Sequence, residues 1–267
     1  MNKVVLITGG SSGIGKSIGE FLHHKGYVVY GTSRNPERVL NSIFPLIALD
    51  VRNADTIQFA VAKIIAISGR LDVVINNAGV GITGPLEEIP MEEIKNNFET
   101  NFFGPIEVMK AVLPQMRSQQ SGLIINLTSI AGYMGLPYRS VYSASKGALE
   151  LITEALRMEV KSFGIHITNI APGDFATNIA AGRFHAPVVK GSAYDVSYGN
   201  NLKTMDEHVD SGSNPNEMAE AVYAVIQNSN PKIHYKVGAF MQKFSIVLKR
   251  ILPDKVYEKM LMNHYKL

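Results

Sequence analysis

Tyr142 and Lys146 stand four residues apart in the segment YSASK. In a helix this spacing places both side chains on one face, one turn apart. An ammonium group beside a phenol favours the phenolate, so it makes the tyrosine a stronger acid. Such a tyrosine could protonate a carbonyl oxygen or take the proton from an alcohol. Because the same pair is also common on solvated helix faces, the interpretation depends on the residues that accompany it.

Two of those residues belong to the ends of predicted strands. Ser129 follows the apolar segment LIINLT and precedes Tyr142, and the segment Asn76–Gly79 (NNAG) ends another apolar run. In open α/β sheets, ligands bind beyond the carboxyl ends of the strands. The sequence therefore predicts that the serine hydroxyl lies beside a bound substrate.

A glycine-rich turn lies near the N-terminus. The segment from Thr8 to Gly15 (TGGSSGIG) directly follows a strand-like run and begins a helical pattern. Glycines permit a tight turn, and backbone N–H groups at the positive end of a helix can bind a pyrophosphate. Glycine-rich turns can also be purely structural. Its place at the first strand–helix turn favours nucleotide binding.

The end of the second predicted strand indicates which dinucleotide is bound. NAD enzymes usually carry an acidic residue there, which binds the ribose 2′-hydroxyl. This chain has Gly31, Thr32, Ser33 and Arg34 instead, and no carboxylate before Glu37. A guanidinium can donate two N–H groups to a 2′-phosphate. We therefore predict NADP(H), with an exposed arginine beginning a helix as the alternative.

Short β-rich runs alternate with helical patterns through the first two-thirds of the chain. Continuous apolar strands are typical of parallel sheets covered on both faces, and the alternation implies right-handed strand–helix–strand units. The predicted strands are Lys3–Thr8, Tyr27–Thr32, Phe44–Leu49, Leu71–Asn76, Leu123–Thr128 and Ile165–Ile170, and the predicted helices are Gly13–His24, Ala54–Ile67, Met91–Arg117 and Tyr142–Phe163. The expected fold is α/β, a single-domain doubly wound parallel sheet (Rossmann-type) with helices on both faces and a C-terminal helical extension, over residues 1–267.

The last third of the sequence is less regular. Residues 175–214 are polar and weakly periodic, and we expect a substrate lid there, with a permanently packed excursion as the alternative. A helix over Pro215–Gln227 and a strand over Ile233–Lys236 follow. The tail, about residues 240–266, reads as two amphipathic helices broken at Pro253.

The first tail helix carries an apolar stripe. Phe244, Val247, Leu248 and Ile251 recur at helical spacing among basic residues. A basic amphipathic helix can lie on an anionic membrane surface. Such helices more often cover the protein's own core or a subunit contact, which is the expectation here.

Composition excludes several classes of protein. The 267 residues include no cysteine, so disulfides and thiolate chemistry are absent, and the net charge of +3 comes from scattered basic residues. That pattern does not favour nucleic-acid binding. The N-terminal apolar run is too short for a signal peptide, and no run approaches the ~20 apolar residues of a membrane span. We expect a cytoplasmic protein.

In order and spacing, these motifs resemble the short-chain dehydrogenase/reductase family. The resemblance covers roughly Lys3 to Gln227, and it is nearest to the branch with 17β-hydroxysteroid- and retinol-dehydrogenase-like members. It implies that Tyr142 is the proton donor and acceptor, and that Lys146 assists it and binds the nicotinamide ribose. It further implies that Ser129 holds the substrate oxygen, and that Asn101 braces a water-linked proton relay to the lysine.

The resemblance also implies a set of cofactor contacts and no metal. These contacts are Thr8, Gly9, Ser11, Ser12, Gly13, Ile14, Gly15, Arg34, Asp50, Asn77, Tyr142, Lys146, Pro172, Gly173, Phe175 and Thr177. Residues expected to line an apolar substrate pocket, with simple packing as the alternative, are Tyr133, Met134, Leu136, Tyr138, Phe184, Tyr194 and Tyr198.

The predicted function is NADP(H)-dependent transfer of a hydride between nicotinamide and an apolar secondary alcohol or ketone, such as a steroid, retinoid or lipid-like carbonyl. Two alternatives remain open: a non-catalytic NADP-binding sensor or scaffold, and an NAD-linked alcohol dehydrogenase with the same catalytic residues. The family resemblance implies a homodimer or homotetramer that assembles through the two long helices.

Overall fold

The computed structural model describes residues 2–175, 182–210 and 213–267, with residues 204 and 206–210 described by backbone alone. The strands are β1 (Val4–Ile7), β2 (Val28–Ser33), β3 (Leu46–Ala48), β4 (Val73–Asn76), β5 (Ile82–Thr83), β6 (Gly122–Leu127), β7 (Ile165–Pro172), β8 (Phe184–His185) and β9 (His234–Val237). The helices are α1 (Gly13–His24), α2 (Ala54–Ser68), α3 (Met91–Phe98), α4 (Gly104–Gln119), α5 (Ser140–Glu159), α6 (Asp195–Asp210), α7 (Pro215–Gln227), α8 (Phe240–Ile251) and α9 (Asp254–Tyr265).

Seven strands form one parallel sheet in the order β3-β2-β1-β4-β6-β7-β9. Neighbouring residues of β1 enter different cores, because side chains alternate between the faces of a strand. Leu6 packs into a core that includes residues of α2, α4 and α5, whereas Val5 and Ile7 pack with α1 and α7. Both faces are buried, so the strands read as continuous apolar runs. The predicted doubly wound sheet is confirmed.

The predicted helix from Met91 to Arg117 is interrupted. Residues Glu99–Phe103 form a π-helical turn between α3 and α4. Such turns insert one extra residue per turn and frequently occur at functional sites. The prediction of one continuous helix was wrong at this point, because apolar periodicity does not reveal a single wide turn. The turn contains Asn101, one of the predicted site residues.

The weakly periodic segment contains regular structure that the sequence pattern did not reveal. Helix α6 lies within it, and β8 pairs in parallel with β5. Tyr198 of α6 is fully buried, and its hydroxyl donates to the carbonyl oxygens of Ala186 at 3.0 Å and Thr83 at 3.3 Å. Thr177 and the rest of residues 176–181, with 211–212, lie outside the described residues. The lid itself stays a prediction.

The two tail helices form as predicted and meet at Leu252 and Pro253. The buried apolar residue of α8 is Ile246, whereas Phe244, Val247 and Ile251 are exposed. Leu248, the fourth residue of the predicted stripe, packs with Ile246 against a core of the same chain, so the stripe covers that core only in part. Within the described ranges, no helix is both long and apolar enough to cross a bilayer.

The buried hydroxyl of Tyr198 should anchor α6 to the segments that contain Thr83 and Ala186. Tyr198→Phe leaves the Ala186 carbonyl without its donor in a buried place, which typically costs about 1–3 kcal/mol. We expect the free energy of unfolding in urea to fall by roughly that amount. Tyr235→Phe is the control, since its hydroxyl accepts an exposed hydrogen bond from the Lys232 N–H. Equal stability of both variants and the wild type would contradict the anchoring role.

Candidate active site

A groove of about 590 Å³ opens beyond the carboxyl ends of the central strands. A smaller pocket of about 70 Å³ shares Tyr142, Ile14 and Pro172 with it. The predicted residues that line the groove are Gly9, Ser11, Ser12, Gly13, Ile14, Arg34, Asp50, Asn77, Tyr142, Lys146 and Pro172. Ser129, Gly173 and Phe175 line the smaller pocket. The structure thus brings most of the predicted site residues to one edge of the sheet.

The backbone of the glycine turn adopts a conformation that residues with a Cβ atom would not fit. Gly9 and Gly13 have φ angles of 63° and 52°, in the left-handed region that favours glycine. A Cβ atom on Gly10 would lie 2.8 Å from the Cα of Gly31, so the turn packs directly against β2. These glycines bring the turn to the end of the strand and leave its surface open to the groove.

Thr8 and Asn77 hold this turn against the end of β4. The Thr8 hydroxyl accepts from the backbone N–H groups of Asn77 and Ala78, each at 3.0 Å. The Asn77 amide donates to the carbonyl oxygens of Thr8 at 2.8 Å and Gly9 at 3.0 Å. A Cβ on Gly15 would lie 2.4 Å from the same amide. Thr8 and Gly15, which the resemblance made cofactor contacts, are buried behind the turn and shape it.

The start of α1 can receive an anion. Ser12 is the N-cap, but its side chain makes no capping hydrogen bond, and the first turn carries no acidic residue. The first N–H groups of a helix lack partners within the helix, and the helix dipole is positive at this end. Gly13 and Ile14 line the groove at this point. A dinucleotide pyrophosphate fits these residues.

At the other end of the groove, Arg34 lies beside an ion pair. The Arg52 guanidinium binds the Asp50 carboxylate at 3.3 Å, and all three residues line the groove. Burial alone would raise the pKa of Asp50, but hydrogen bonds from Arg52 and the charge of Arg34 outweigh it and lower that pKa. Arg52 was not predicted from the sequence, although it stands next but one to Asp50.

Lys146 is a buried cation beside the groove. Its ammonium donates to the Leu127 carbonyl at 2.9 Å, where β6 ends. Burial lowers the pKa of Lys146, and the charges of Tyr142 and Glu150 oppose this effect. Tyr142 is half-buried one turn earlier on α5, with the Arg139 guanidinium 5.5 Å from its ring centre. The predicted pair therefore shares one helix face inside the site.

Asn101 and Lys146 approach each other across Gly79. The Asn101 side chain accepts from the Val80 N–H at 2.9 Å and donates to the Val80 carbonyl at 2.8 Å. A Cβ on Gly79 would lie 3.2 Å from the Asn101 Oδ1 and 3.4 Å from the Lys146 Nζ. The π-helical turn thus brings a fully buried amide to the same glycine that the ammonium approaches.

Ser129 lies two residues after the end of β6, close to the strand end that the sequence predicts for it. Its hydroxyl oxygen accepts from the Ala131 N–H at 3.2 Å, so the side chain caps the short helical turn that follows. Ser129 and Tyr142 both line the smaller pocket. A carbonyl group in that pocket would meet two hydroxyl donors.

The residues predicted to line an apolar pocket divide between different places. Tyr133, Met134 and Leu136 pack in a core with residues of the two tail helices, and Tyr198 packs against Ile82 and Val141. Of the set, only Phe184 lines either cavity among the described residues. The smaller pocket instead carries the charged side chains of Arg139, Asp174 and Arg183.

A buried carboxylate lies one turn beyond Lys146. Glu150 accepts hydrogen bonds from the Thr128 hydroxyl, the Tyr133 hydroxyl at 3.0 Å and the Asn169 amide at 2.9 Å. The His234 ring lies 2.8 Å from the same carboxylate. This network was not predictable from the sequence, because it joins residues of α5, β7 and β9 to residues that follow β6, and no local spacing connects them.

The network has a pH-dependent member. The hydrogen bond to Glu150 raises the pKa of His234, although partial burial opposes the shift, and the charges of Glu150 and Glu154 add to it. The stability that protonated His234 contributes is therefore complete below the unfolded pKa and is lost as pH rises through the folded pKa.

We expect His234→Gln to lower the free energy of unfolding more at about pH 5.5 than at about pH 9, on either side of the ordinary histidine pKa. Urea titrations of both proteins at the two pH values measure this difference. His166→Gln is the control, since burial lowers the pKa of His166 and reverses the expected sign. A deficit for His234→Gln that does not change with pH would contradict the charged pairing.

Comparisons with known proteins support the same interpretation. The family model described as short chain dehydrogenase matches residues 3–187. A 3-ketodihydrosphingosine reductase of Bacteroides thetaiotaomicron is 39% identical over 264 residues, which cover 98% of each chain. A probable short-chain type dehydrogenase/reductase of Helicobacter pylori is 32% identical over 261 residues, 96% of each chain.

Solved structures show the same architecture. A short-chain dehydrogenase from Streptomyces avermitilis has a TM-score of 0.86 and 30% identity, with 100% of this chain and 97% of that chain covered. ElxO with NADP bound has a TM-score of 0.73 and 28% identity, with 89% and 97% covered. The chain described here belongs to the short-chain dehydrogenase/reductase family and is an oxidoreductase.

Proposed function

We propose that the chain is an NADPH-dependent reductase of a ketone carried by a long-chain amphiphile. The observation that carries this proposal is the place of Tyr142, between the groove and the smaller pocket, with buried Lys146 on one side and Ser129 on the other. A proton donor, a cation and a second hydroxyl therefore meet where the two cavities join.

Each of these residues has a separate role in reduction of the carbonyl group. The hydroxyls of Ser129 and Tyr142 hold and polarise the substrate carbonyl. NADPH held in the groove would supply the hydride for the carbonyl carbon, and the Tyr142 phenol would give its proton to the carbonyl oxygen. The product is a secondary alcohol, and the phenolate left on Tyr142 is stabilised by the Lys146 ammonium, since opposite charges attract strongly in a site with little water.

Arg34 supports the preference for NADPH. It lines the end of the groove, and the second strand ends in Ser33 rather than in an acidic residue. The Asp50 carboxylate forms its ion pair with Arg52 and not with Arg34. The Arg34 guanidinium can therefore donate its N–H groups to a 2′-phosphate. ElxO, whose structure holds NADP, is a similar chain.

The substrate class rests on one relative and on the smaller pocket. The relative from Bacteroides is named for reduction of 3-ketodihydrosphingosine, a ketone on a long-chain amino alcohol. The pocket beside Tyr142 carries Asp174, Arg139 and Arg183, which suit a polar head group better than a wholly apolar steroid. This narrows the expected class from any apolar carbonyl to amphiphilic ketones.

The alternatives differ in clear ways. A non-catalytic NADP-binding scaffold has no use for Tyr142, Lys146, Ser129 and Asn101 together in one site. An NAD-linked alcohol dehydrogenase would share all four, so only the phosphate contact at Arg34 separates it from the proposal. Substitutions at Tyr142 and Arg34 distinguish the reductase, the scaffold and the NAD-linked dehydrogenase.

Assembly is also proposed. Leu151 and Met158 stand two turns apart on α5 and are exposed, as is Phe103 at the start of α4. An apolar surface on these two helices suits burial against a second copy of the chain. We propose a homodimer or homotetramer that uses α4 and α5.

Tyr142→Phe keeps the ring but removes the proton donor. We expect kcat for reduction of a 3-keto long-chain base to fall at least about a hundredfold, while the NADPH dissociation constant changes less than about threefold. Lys146→Ala should lose both turnover and NADPH affinity. Absorbance at the NADPH band and fluorescence titration measure the two quantities, with Tyr223→Phe as a remote control. Turnover by Tyr142→Phe near the wild-type rate would show that another group donates the proton.

Arg34→Ala should weaken NADPH binding about ten- to a hundredfold, as expected for loss of a charge-assisted pair worth ~1.5–3 kcal/mol. NADH binding should change little. Arg38→Ala is the matched control, because Arg38 is exposed and pairs only weakly with Glu37. Equal losses for NADPH and NADH would mean that Arg34 does not contact the phosphate, and would favour the NAD-linked alternative.

Light scattering at micromolar concentration should give the mass of a dimer or tetramer. The double variant Leu151→Lys/Met158→Lys should shift the mass toward the monomer, since two buried charges at an interface cost several kcal/mol. Phe59→Lys, at an exposed position of α2, is the control. A monomeric wild type would overturn the assembly.

A further inference from the structure

Helix α8 turns its apolar side to solvent. Phe240 is 72% exposed, Val247 44% and Ile251 67%, and Phe244, whose ring stacks on Phe240 at 5.7 Å, is 37% exposed. These four positions recur at i, i+4, i+7 and i+11, so they form one stripe along the helix. A surface helix normally buries such a stripe. Here it is the outermost part of the helix.

The rest of the helix is held to the protein by polar contacts and by Ile246 and Leu248, which pack in a core with residues such as Met134 and Tyr257. Gln242 donates to the Asp174 carboxylate at 2.7 Å, and Ser245 contacts the Met134 sulfur at 3.8 Å. Ile246 is the one buried apolar residue of the helix. Because these contacts fix its orientation, the apolar stripe cannot turn inward without breaking them.

Positive charge flanks the stripe. Lys243 and Arg250 lie beside it on the helical wheel, and the sequence of α8 contains no acidic residue. Neither cation has an ion pair among the described residues, whereas Lys249 pairs with Asp254 at 3.2 Å. An exposed apolar stripe with unpaired cations at its side is typical of helices that lie on anionic bilayers.

We propose that this stripe, Phe240, Phe244, Val247 and Ile251 with Lys243 and Arg250, is a docking face for an anionic lipid bilayer. The apolar side chains would enter the boundary between head groups and acyl chains, and the two cations would contact lipid phosphates.

Charge disfavours a second copy of the chain as the occupant. A two-fold contact through this face would bring Lys243 and Arg250 of both copies together, and like charges across an interface are unfavourable. The exposed residues Leu151 and Met158 on α5 offer that copy another apolar surface.

The docking face is attached to the rim of the candidate active site. Gly173, whose Cβ position would lie 2.0 Å from the Gln242 side chain, lines the smaller pocket with Asp174. The strand before α8 pairs Val237 with Pro172 at the same edge. A bilayer bound by α8 would therefore lie beside the pocket that receives a ketone. If the proposed function holds, an amphiphile dissolved in the membrane could then reach Tyr142 without crossing bulk water.

Sedimentation with vesicles tests the proposal. The full chain should bind vesicles of phosphatidylglycerol and phosphatidylcholine, and bind pure phosphatidylcholine at least about tenfold more weakly. Phe240→Ser/Phe244→Ser should lower the partition coefficient about tenfold or more, and Lys243→Gln/Arg250→Gln should do so only for anionic vesicles. Phe59→Ser and Lys63→Gln/Lys161→Gln are exposed controls on other helices and should bind as the wild type does.

Several results would overturn the docking face. One is failure of the wild type to bind either kind of vesicle, and another is full vesicle binding by the Phe240→Ser/Phe244→Ser variant. A third is a lower mass of that variant in light scattering, which would assign the face to contact with a second copy of the chain.

Turnover of a short-chain, water-soluble ketone without vesicles separates this proposal from the proposed function. Both double variants should retain that turnover. They should reduce a long-chain ketone supplied in vesicles more slowly than the wild type does. Absence of all ketone turnover by the wild type would refute the function, and vesicle binding would still decide the docking face.

Discussion

The hydrogen bond between the Lys146 ammonium and the Leu127 carbonyl is the contact on which the site depends. A buried cation is costly unless polar groups surround it, so the helix that carries it must sit where an acceptor is available. The last residue of β6 provides that acceptor at the sheet edge. Fixing Lys146 there also fixes Tyr142 one turn away on α5, and Ser129 follows two residues after the acceptor on the same strand end. One contact thus relates three of the predicted catalytic residues.

Local departures from regular structure complete the site around this bond. The π-helical turn directs Asn101 to the Val80 backbone and to the vicinity of the ammonium. The left-handed glycines of the first turn let Asn77 and Thr8 brace it close to β4, where an ordinary side chain would collide. The glycine turn leaves residues such as Gly9 and Gly13 lining the groove, and the π-helical turn leaves a buried amide beside Gly79, which also lines it. Regular elements supply the rigid edge, and these interruptions give it the shape of a dinucleotide groove.

Local spacing was enough to propose Ser129, Tyr142 and Lys146 as catalytic residues, because they follow one another just after β6 and along α5. The alternation of runs predicted the sheet. Contacts between distant residues were not predictable: Glu150 meets His234 only because β7 and β9 pair beside α5. Tyr133 looked like a pocket residue and instead binds Glu150. The apolar stripe of α8 was visible in the sequence, but periodicity does not tell which way a stripe faces. Gln242 and Ser245, which hold the opposite face, decide it.

We propose that this edge of the sheet directs hydride to the carbonyl carbon of an amphiphilic ketone while Tyr142 supplies the proton. Incubation of the chain with 3-keto long-chain base and NADPH deuterated at nicotinamide C4, followed by mass spectrometry, tests it directly. We expect one deuterium on the carbinol carbon of the product, with the hydroxyl proton derived from solvent. Oxidation of NADPH without a deuterium-bearing alcohol, or an alcohol formed without label from either C4 epimer of the cofactor, would contradict it.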